Sequence, residues 1–98
     1  MLKKSRFKLL VLSALMATQA AHAQITEGVV RIGVLNDQTG VYADLSGLGS
    51  IWAAKKAVED FGPEKHGLKV EIVSADHQNK PDVGASITRR WLDVDKVD

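Results

Sequence analysis

Cysteine is absent from the 98-residue sequence, so the chain can form no disulfide bond and offers no cysteine for a lipid anchor. Small exported domains often rely on disulfides, because a short chain buries little apolar surface. A single core of this size supplies only a few kcal/mol of stability. We therefore expect either a very small domain or a part of something larger.

Long hydrophobic runs are also missing. The apolar stretch LLVLSALMA has nine residues, whereas a membrane span needs about 20. It follows the basic segment MLKKSRFK, and the segment TQAAHA after it carries Ala21 and Ala23 at small-x-small positions. This order predicts a secretory signal peptide over residues 1–23, cleaved between Ala23 and Gln24. We expect an exported, soluble mature chain, with no part inserted in the membrane.

A surplus of positive charge is missing once this leader is removed. The leader holds four of the 13 Lys and Arg residues and none of the 12 acids, so the remaining 75 residues carry a formal charge of −3. The surviving cations are scattered along the chain and form no basic cluster. This distribution argues against nucleic acid as a partner.

The mature chain has the order strand, helix, strand, helix. Residues 29–35 form a nearly continuous apolar run, typical of a central strand covered on both faces, whereas residues 68–75 alternate and suit a strand nearer an edge. Apolar spacing predicts a helix over residues 47–61 and a second helix from Pro81. The predicted buried positions are Gly47, Ile51, Ala54, Val58 and Phe61, then Val83, Ile87, Trp91 and Val94.

This βαβα order predicts the α/β fold class. We expect the start of a doubly wound parallel-sheet lobe with right-handed crossovers, truncated before its third strand. In such sheets ligands bind beyond the carboxyl ends of the strands. The loop of residues 36–46 follows the first strand, so it lies at the ligand edge. Its residue types are also those of ordinary turns, and for Tyr42 ligand contact and plain packing are equally supported.

The enzyme motifs in the sequence are incomplete. Trp52 stands where the third glycine of a dinucleotide fingerprint would be, and no GxxxxGK[ST] phosphate loop is present. A Ser46, His77 and Asp37 triad can be assembled, but no nucleophile elbow surrounds the serine. His66 and His77 lack further ligands at metal-binding spacing. Helix capping and loop hydrogen bonding account for Asp76, Gln78 and Asn79 more simply. We expect no catalytic residue, no metal and no cofactor.

Four segments of the sequence resemble a known family. They are the strand IGVL, the loop TG-x-YA, the helix AA-x-x-A-V-x-D and the segment SADHQNKPD. Together they resemble the start of a periplasmic substrate-binding protein of the branched-chain amino acid (Leu/Ile/Val-type) ABC importers. The resemblance covers essentially all of residues 24–98. It implies the type I periplasmic-binding-protein fold, with this chain as a partial N-terminal lobe of a two-lobed protein.

The resemblance also implies a function. Members bind a small solute outside the cytoplasm and deliver it to the membrane permease of an importer. Here the solute would be a small carboxylate such as a branched-chain amino acid or an aromatic acid. By position, Tyr42, Leu45 and Ser46 match residues that approach the ligand's side chain, while the groups that hold its carboxylate come from later segments. Two alternatives stay open: a fragment of a secreted α/β enzyme, and a ligand-sensing receptor domain of the same fold.

Overall fold

The computed structural model describes residues 25–98. The predicted leader and its cleavage site at Ala21, Ala23 and Gln24 lie outside the described residues. Strand β1 spans Val30–Asn36, helix α1 Gly47–Phe61, strand β2 Val70–Asp76 and helix α2 Pro81–Asp93. Short 3-10 turns occupy Thr26–Gly28 and Pro63–His66. The predicted βαβα order is confirmed, and each strand begins one or two residues later than predicted.

The two strands are parallel and in register, from Val30 opposite Val70 to Asn36 opposite Asp76. Because both strands end at the same edge of the sheet, the loops that follow them leave side by side. The first loop is the β1–α1 loop (residues 37–46), and the second is the β2–α2 loop (residues 77–80). This edge is the one at which open α/β sheets bind ligands.

Helix α1 ends where the sequence predicts. Gly62 adopts the left-handed conformation, with φ of 63°, and its N–H donates to the carbonyls of Val58 and Glu59. Glycine reaches this conformation without the steric cost that a Cβ brings. The prediction that Phe61 is buried was wrong, because its side chain is 54% exposed. Its ring turns to the next segment and stacks on His66, with centroids 4.5 Å apart.

Helix α2 begins at Pro81, as predicted. Val83, Ile87 and Trp91 are half-buried, but Val94 is 64% exposed. The prediction for Val94 was wrong because the helix stops at Asp93, so the helical spacing that would turn this side chain inward has already ended.

Trp91 lies over the middle of β1. The absence of a side chain on Gly33 makes room for it, since a Cβ there would clash with the six-membered part of the Trp91 ring. A pocket of about 310 Å³ adjoins this contact and has apolar lining from Ile32, Leu92 and Val97. The prediction of β1 as a strand covered on both faces holds only in part, since Ile32 is 42% exposed.

The core within residues 25–98 is thin. Its buried apolar residues are Val29 and Ile51, at 9% and 7% exposed, and the remaining apolar side chains of the sheet and helices are half-buried or exposed. No helix in this range is both long enough and apolar enough to cross a bilayer.

Candidate functional site

The β1–α1 loop is built around the carboxylate of Asp37. This residue directly follows β1 and is only 2% exposed. Its Oδ1 accepts the N–H of Gly40 at 2.7 Å, and its Oδ2 accepts the N–H of Tyr42 at 2.9 Å. A Cβ on Gly40 would lie 2.5 Å from Oδ2, so a glycine is needed for the loop to close this tightly. The loop is therefore a fixed structure that holds the backbone of Tyr42 in place.

A second carboxylate reaches the same loop from the neighbouring strand. Oδ1 of Asp76, at the end of β2, accepts the N–H of Gln38 at 3.0 Å and the N–H of Gln78 at 2.7 Å. Its Oδ2 accepts the hydroxyl of Thr39 at 2.6 Å. These donors, the Gln38 N–H above all and then the Thr39 hydroxyl, lower the pKa of the Asp76 carboxyl because they favour its charged form.

These contacts test both roles that the sequence suggested for Asp76, Gln78 and Asn79. Loop hydrogen bonding is confirmed, since the Gln78 N–H bonds to Asp76 and the Asn79 N–H to Nδ1 of His77 at 2.9 Å. The prediction that these residues cap the helix was wrong. Within residues 25–98, helix α2 has Lys80 at its N-cap and no side-chain capping bond. The Asp76 carboxylate instead accepts the donors of Gln38, Thr39 and Gln78.

The far end of the β1–α1 loop is held by Asn36. Its Nδ2 donates to the carbonyls of Ser46 at 3.0 Å and Gly47 at 2.8 Å. The carbonyl of Tyr42 accepts the N–H groups of Leu45 and Ser46, each at 3.0 Å. The loop is thus anchored at its start, middle and end, and it leads directly into α1.

The three predicted ligand-binding residues lie together on this loop. The side chain of Leu45 is 83% exposed and that of Tyr42 is 52% exposed. Ser46 is half-buried, and its hydroxyl donates to the carbonyl of Tyr42 at 3.2 Å. The tyrosine and the leucine are available to a ligand at the carboxyl edge of the sheet, while the serine hydroxyl already has a partner. Their role in binding stays a prediction.

Three further apolar residues, on this loop and at the start of α1, are exposed and were not predicted to take part in binding. They are Val41, Leu48 and Trp52, which are 79%, 71% and 67% exposed. The spacing of positions 41, 45, 48 and 52 resembles one face of a helix, which was the available signal. In the sequence, Trp52 stands out only because it occupies the position of the third glycine of a dinucleotide-binding fingerprint.

The hydrolase-like set from the sequence is not assembled. The hydroxyl of Ser46 bonds to Tyr42, the carboxylate of Asp37 holds Gly40 and Tyr42, and Nδ1 of His77 accepts the N–H of Asn79. Each group serves its own loop, and no hydrogen bond joins the three within the part of the chain that the structure describes. Residues 25–98 also contain no group of three potential metal ligands.

Comparison with known proteins identifies the family. Residues 29–98 match the family model described as periplasmic binding protein. The chain belongs to this family. None of the curated proteins matches it. This match confirms that the sequence resembles the start of a periplasmic binding protein.

Two solved structures are similar to this periplasmic binding protein chain. A periplasmic binding protein from Burkholderia mallei is 46% identical, with a TM-score of 0.67 over 71% of this chain and 19% of its own. A branched chain amino acid ABC transporter periplasmic ligand-binding protein from Burkholderia xenovorans is 51% identical, with a TM-score of 0.66 over 70% of this chain and 18% of its own. The chain thus spans about a fifth of their length, and its fold is that of the start of such a lobe.

Proposed function

We propose that this chain is the first part of the N-terminal lobe of an extracytoplasmic solute-binding component of an ABC importer. The family match and the Burkholderia xenovorans relative support this proposal. The protein would act by binding and release, without catalysis, in the periplasm, and would pass its solute to a membrane permease. Residues 1–23 would be the leader and residues 24–98 part of the lobe. Amino-terminal sequencing of the exported protein should then begin at Gln24.

The proposed ligand is a small carboxylate, such as a branched-chain amino acid or an aromatic acid. The observation that carries this proposal is the exposure of Tyr42 and Leu45 on a loop fixed at the carboxyl edge of the sheet. Apolar and aromatic side chains of this kind commonly line small-molecule sites. The carboxylates of Asp37 and Asp76 are already occupied by donors of the protein. The apolar part of the ligand would therefore lie against this loop.

The test is calorimetry on the full-length mature protein. The probes are leucine, isoleucine, valine, benzoate and phenylacetate, and we expect at least one to bind. Tyr42→Ala should weaken that binding about tenfold, the equivalent of roughly 1.4 kcal/mol, and should leave the melting temperature unchanged.

Leu92→Ala is the matched control, because Leu92 is 58% exposed and lies on α2, away from the loop. Binding of none of the probes would contradict the ligand class. An unchanged affinity in Tyr42→Ala would mean that the Tyr42 ring only packs against the protein and does not contact the ligand.

A further inference from the structure

We propose that Asp76 and Thr39 form a positioning clasp that sets ligand affinity through Tyr42 without contacting the ligand. The clasp consists of the Asp76 carboxylate, the hydroxyl of Thr39 and the N–H of Gln38. This inference rests on the proposed function, in which the β1–α1 loop is a ligand wall. It adds determinants of binding that lie on a different strand from the residues matched to the ligand.

The clasp is a long-range contact that depends on the register of the sheet. Asp76 stands directly opposite Asn36, the last residue of β1. Its carboxylate therefore reaches the first residues of the neighbouring loop, which lie 37 and 38 positions away along the chain. A shift of one residue in the pairing of β1 and β2 would turn this side chain to the other face of the sheet.

The clasp and Asp37 together fix a continuous stretch of backbone. Asp76 holds the N–H of Gln38 and the hydroxyl of Thr39, while Asp37 holds the N–H groups of Gly40 and Tyr42. The loop between the strand and Tyr42 thus has little conformational freedom left to lose when a ligand binds. Ordering an interface before binding raises affinity because less entropy is lost at the binding step.

Thr39 is the member of the clasp best suited to a test. Its side chain is exposed, so removal of the hydroxyl leaves no cavity in the core. Its bond to Asp76 is short, at 2.6 Å, as hydrogen bonds from a hydroxyl to a carboxylate are. Valine has nearly the shape of threonine without the hydroxyl, whereas serine keeps the hydroxyl.

The clasp also reaches the β2–α2 loop. The Asp76 oxygen that accepts the Gln38 N–H accepts the N–H of Gln78 as well. Gln78 and Asn79 have φ angles of 55° and 56°, a left-handed conformation that costs energy for residues other than glycine. A carboxylate that receives donors from both loops links them, so loss of the clasp should loosen both.

The experiment uses the full-length mature protein and the five probes named above. Thr39→Val should weaken the binding of the bound probe about three- to tenfold, the range for the loss of one hydrogen bond. Thr39→Ser should restore affinity to within about twofold. Thr88→Val is the matched control, since this exposed threonine also donates a hydrogen bond, to the carbonyl of Gly84 at 2.9 Å on α2. Its affinity should be unchanged.

A double-mutant cycle separates positioning from a general structural effect. If Thr39 acts through Tyr42, Thr39→Val should have no further effect on affinity in the Tyr42→Ala background. An effect of Thr39→Val that persists in full without Tyr42 would overturn the proposal, as would a Thr39→Val protein that binds like the unaltered one.

Amide hydrogen exchange tests the clasp even if no probe binds. The N–H groups of Gly40 and Tyr42 should exchange faster in Thr39→Val than in Thr39→Ser, because the loop opens more often without the hydroxyl. Equal exchange in the two variants would overturn the clasp. A loosened loop in a protein that binds none of the probes would support the clasp and contradict the proposed ligand class instead.

Discussion

Asp98 hydrogen-bonds to both backbone groups of Arg31, on one edge of β1. The N–H of Asp98 donates to the carbonyl of Arg31 at 3.0 Å, and its carboxylate accepts the N–H of Arg31 at 2.9 Å. The same carboxylate accepts the N–H of Thr26 at 3.1 Å. These bonds lie on the edge of β1 that faces away from β2, because Val30 and Asn36 carry the bonds toward β2.

The first prediction concerns the rest of this edge. Successive residues of a paired parallel strand bond to opposite sides, so Gly33 and Leu35 direct their N–H and C=O groups away from β2, as Arg31 does. This chain covers only about a fifth of the length of the similar solved proteins, and we expect a segment from the rest of such a protein to pair there. The amides of Gly33 and Leu35 should exchange slowly in the full-length protein and quickly in residues 24–98 alone. Fast exchange in both would contradict this pairing.

The second prediction concerns the packing of the Trp91 ring against Gly33 of β1. Gly33→Ala should lower the free energy of unfolding by about 1–3 kcal/mol, since the added methyl group forces the ring out of its position. Gly49→Ala is the matched control. Within residues 25–98, no atom outside the backbone of the helix itself lies within 4 Å of a Cβ at this position, so we expect a gain of about 0.5–1 kcal/mol from the better helix former. Urea unfolding of the full-length variants measures both changes, and equal midpoints would contradict the contact.

Local signals in the sequence predicted the elements, and their failures are also local. The bounds of α1 followed from apolar spacing and from the stop at Gly62, which are properties of adjacent residues. Phe61 and Val94 were misplaced because helical spacing alone shows neither where a helix stops nor which neighbour a terminal side chain turns to. Both lie at a helix terminus, where the periodic pattern is weakest as a guide to burial.

The candidate site was predicted only in outline. The loop and Tyr42 could be placed at the ligand edge because that edge follows from strand order. The contacts of Asp76 could not be predicted, because they require the register of two strands joined through α1. The burial of Asp37 was missed for a related reason. The run Asp37-Gln38-Thr39-Gly40 also has the residue types of an ordinary turn, and nothing local shows that the carboxylate points inward.

The third prediction is the pH dependence of stability due to Asp76. The Gln38 N–H and then the Thr39 hydroxyl lower the pKa of its carboxyl from the ordinary 3.8. As pH falls, the unfolded chain therefore takes up a proton at this site before the folded chain does. The stabilisation is complete well above pH 3.8 and is lost as pH falls through the lower pKa of the folded state.

Asp76→Asn tests this prediction. At neutral pH the full-length variant should melt at a lower temperature than the unaltered protein, and the difference should shrink below about pH 4. Asp44→Asn, at an exposed position of the same loop, makes the same charge change and should show no such trend. A difference that is constant with pH would mean that the carboxylate does not stabilise the loop through its charge.

The last prediction concerns residues 24–98 as an isolated chain. Within residues 25–98 the buried apolar side chains are Val29 and Ile51, and the conformational entropy of ordering about 75 residues roughly cancels such burial. We expect this piece to show no sharp cooperative thermal transition.

The isolated piece would also bring only one wall to a cleft that gains affinity by closing two lobes around a ligand. Its binding of the five probes should therefore be no tighter than about millimolar, or roughly −4 kcal/mol. Micromolar binding in calorimetry would show that the site lies elsewhere on the chain. A cooperative thermal transition of the isolated piece, measured by circular dichroism, would instead point to a self-sufficient domain or a tight oligomer.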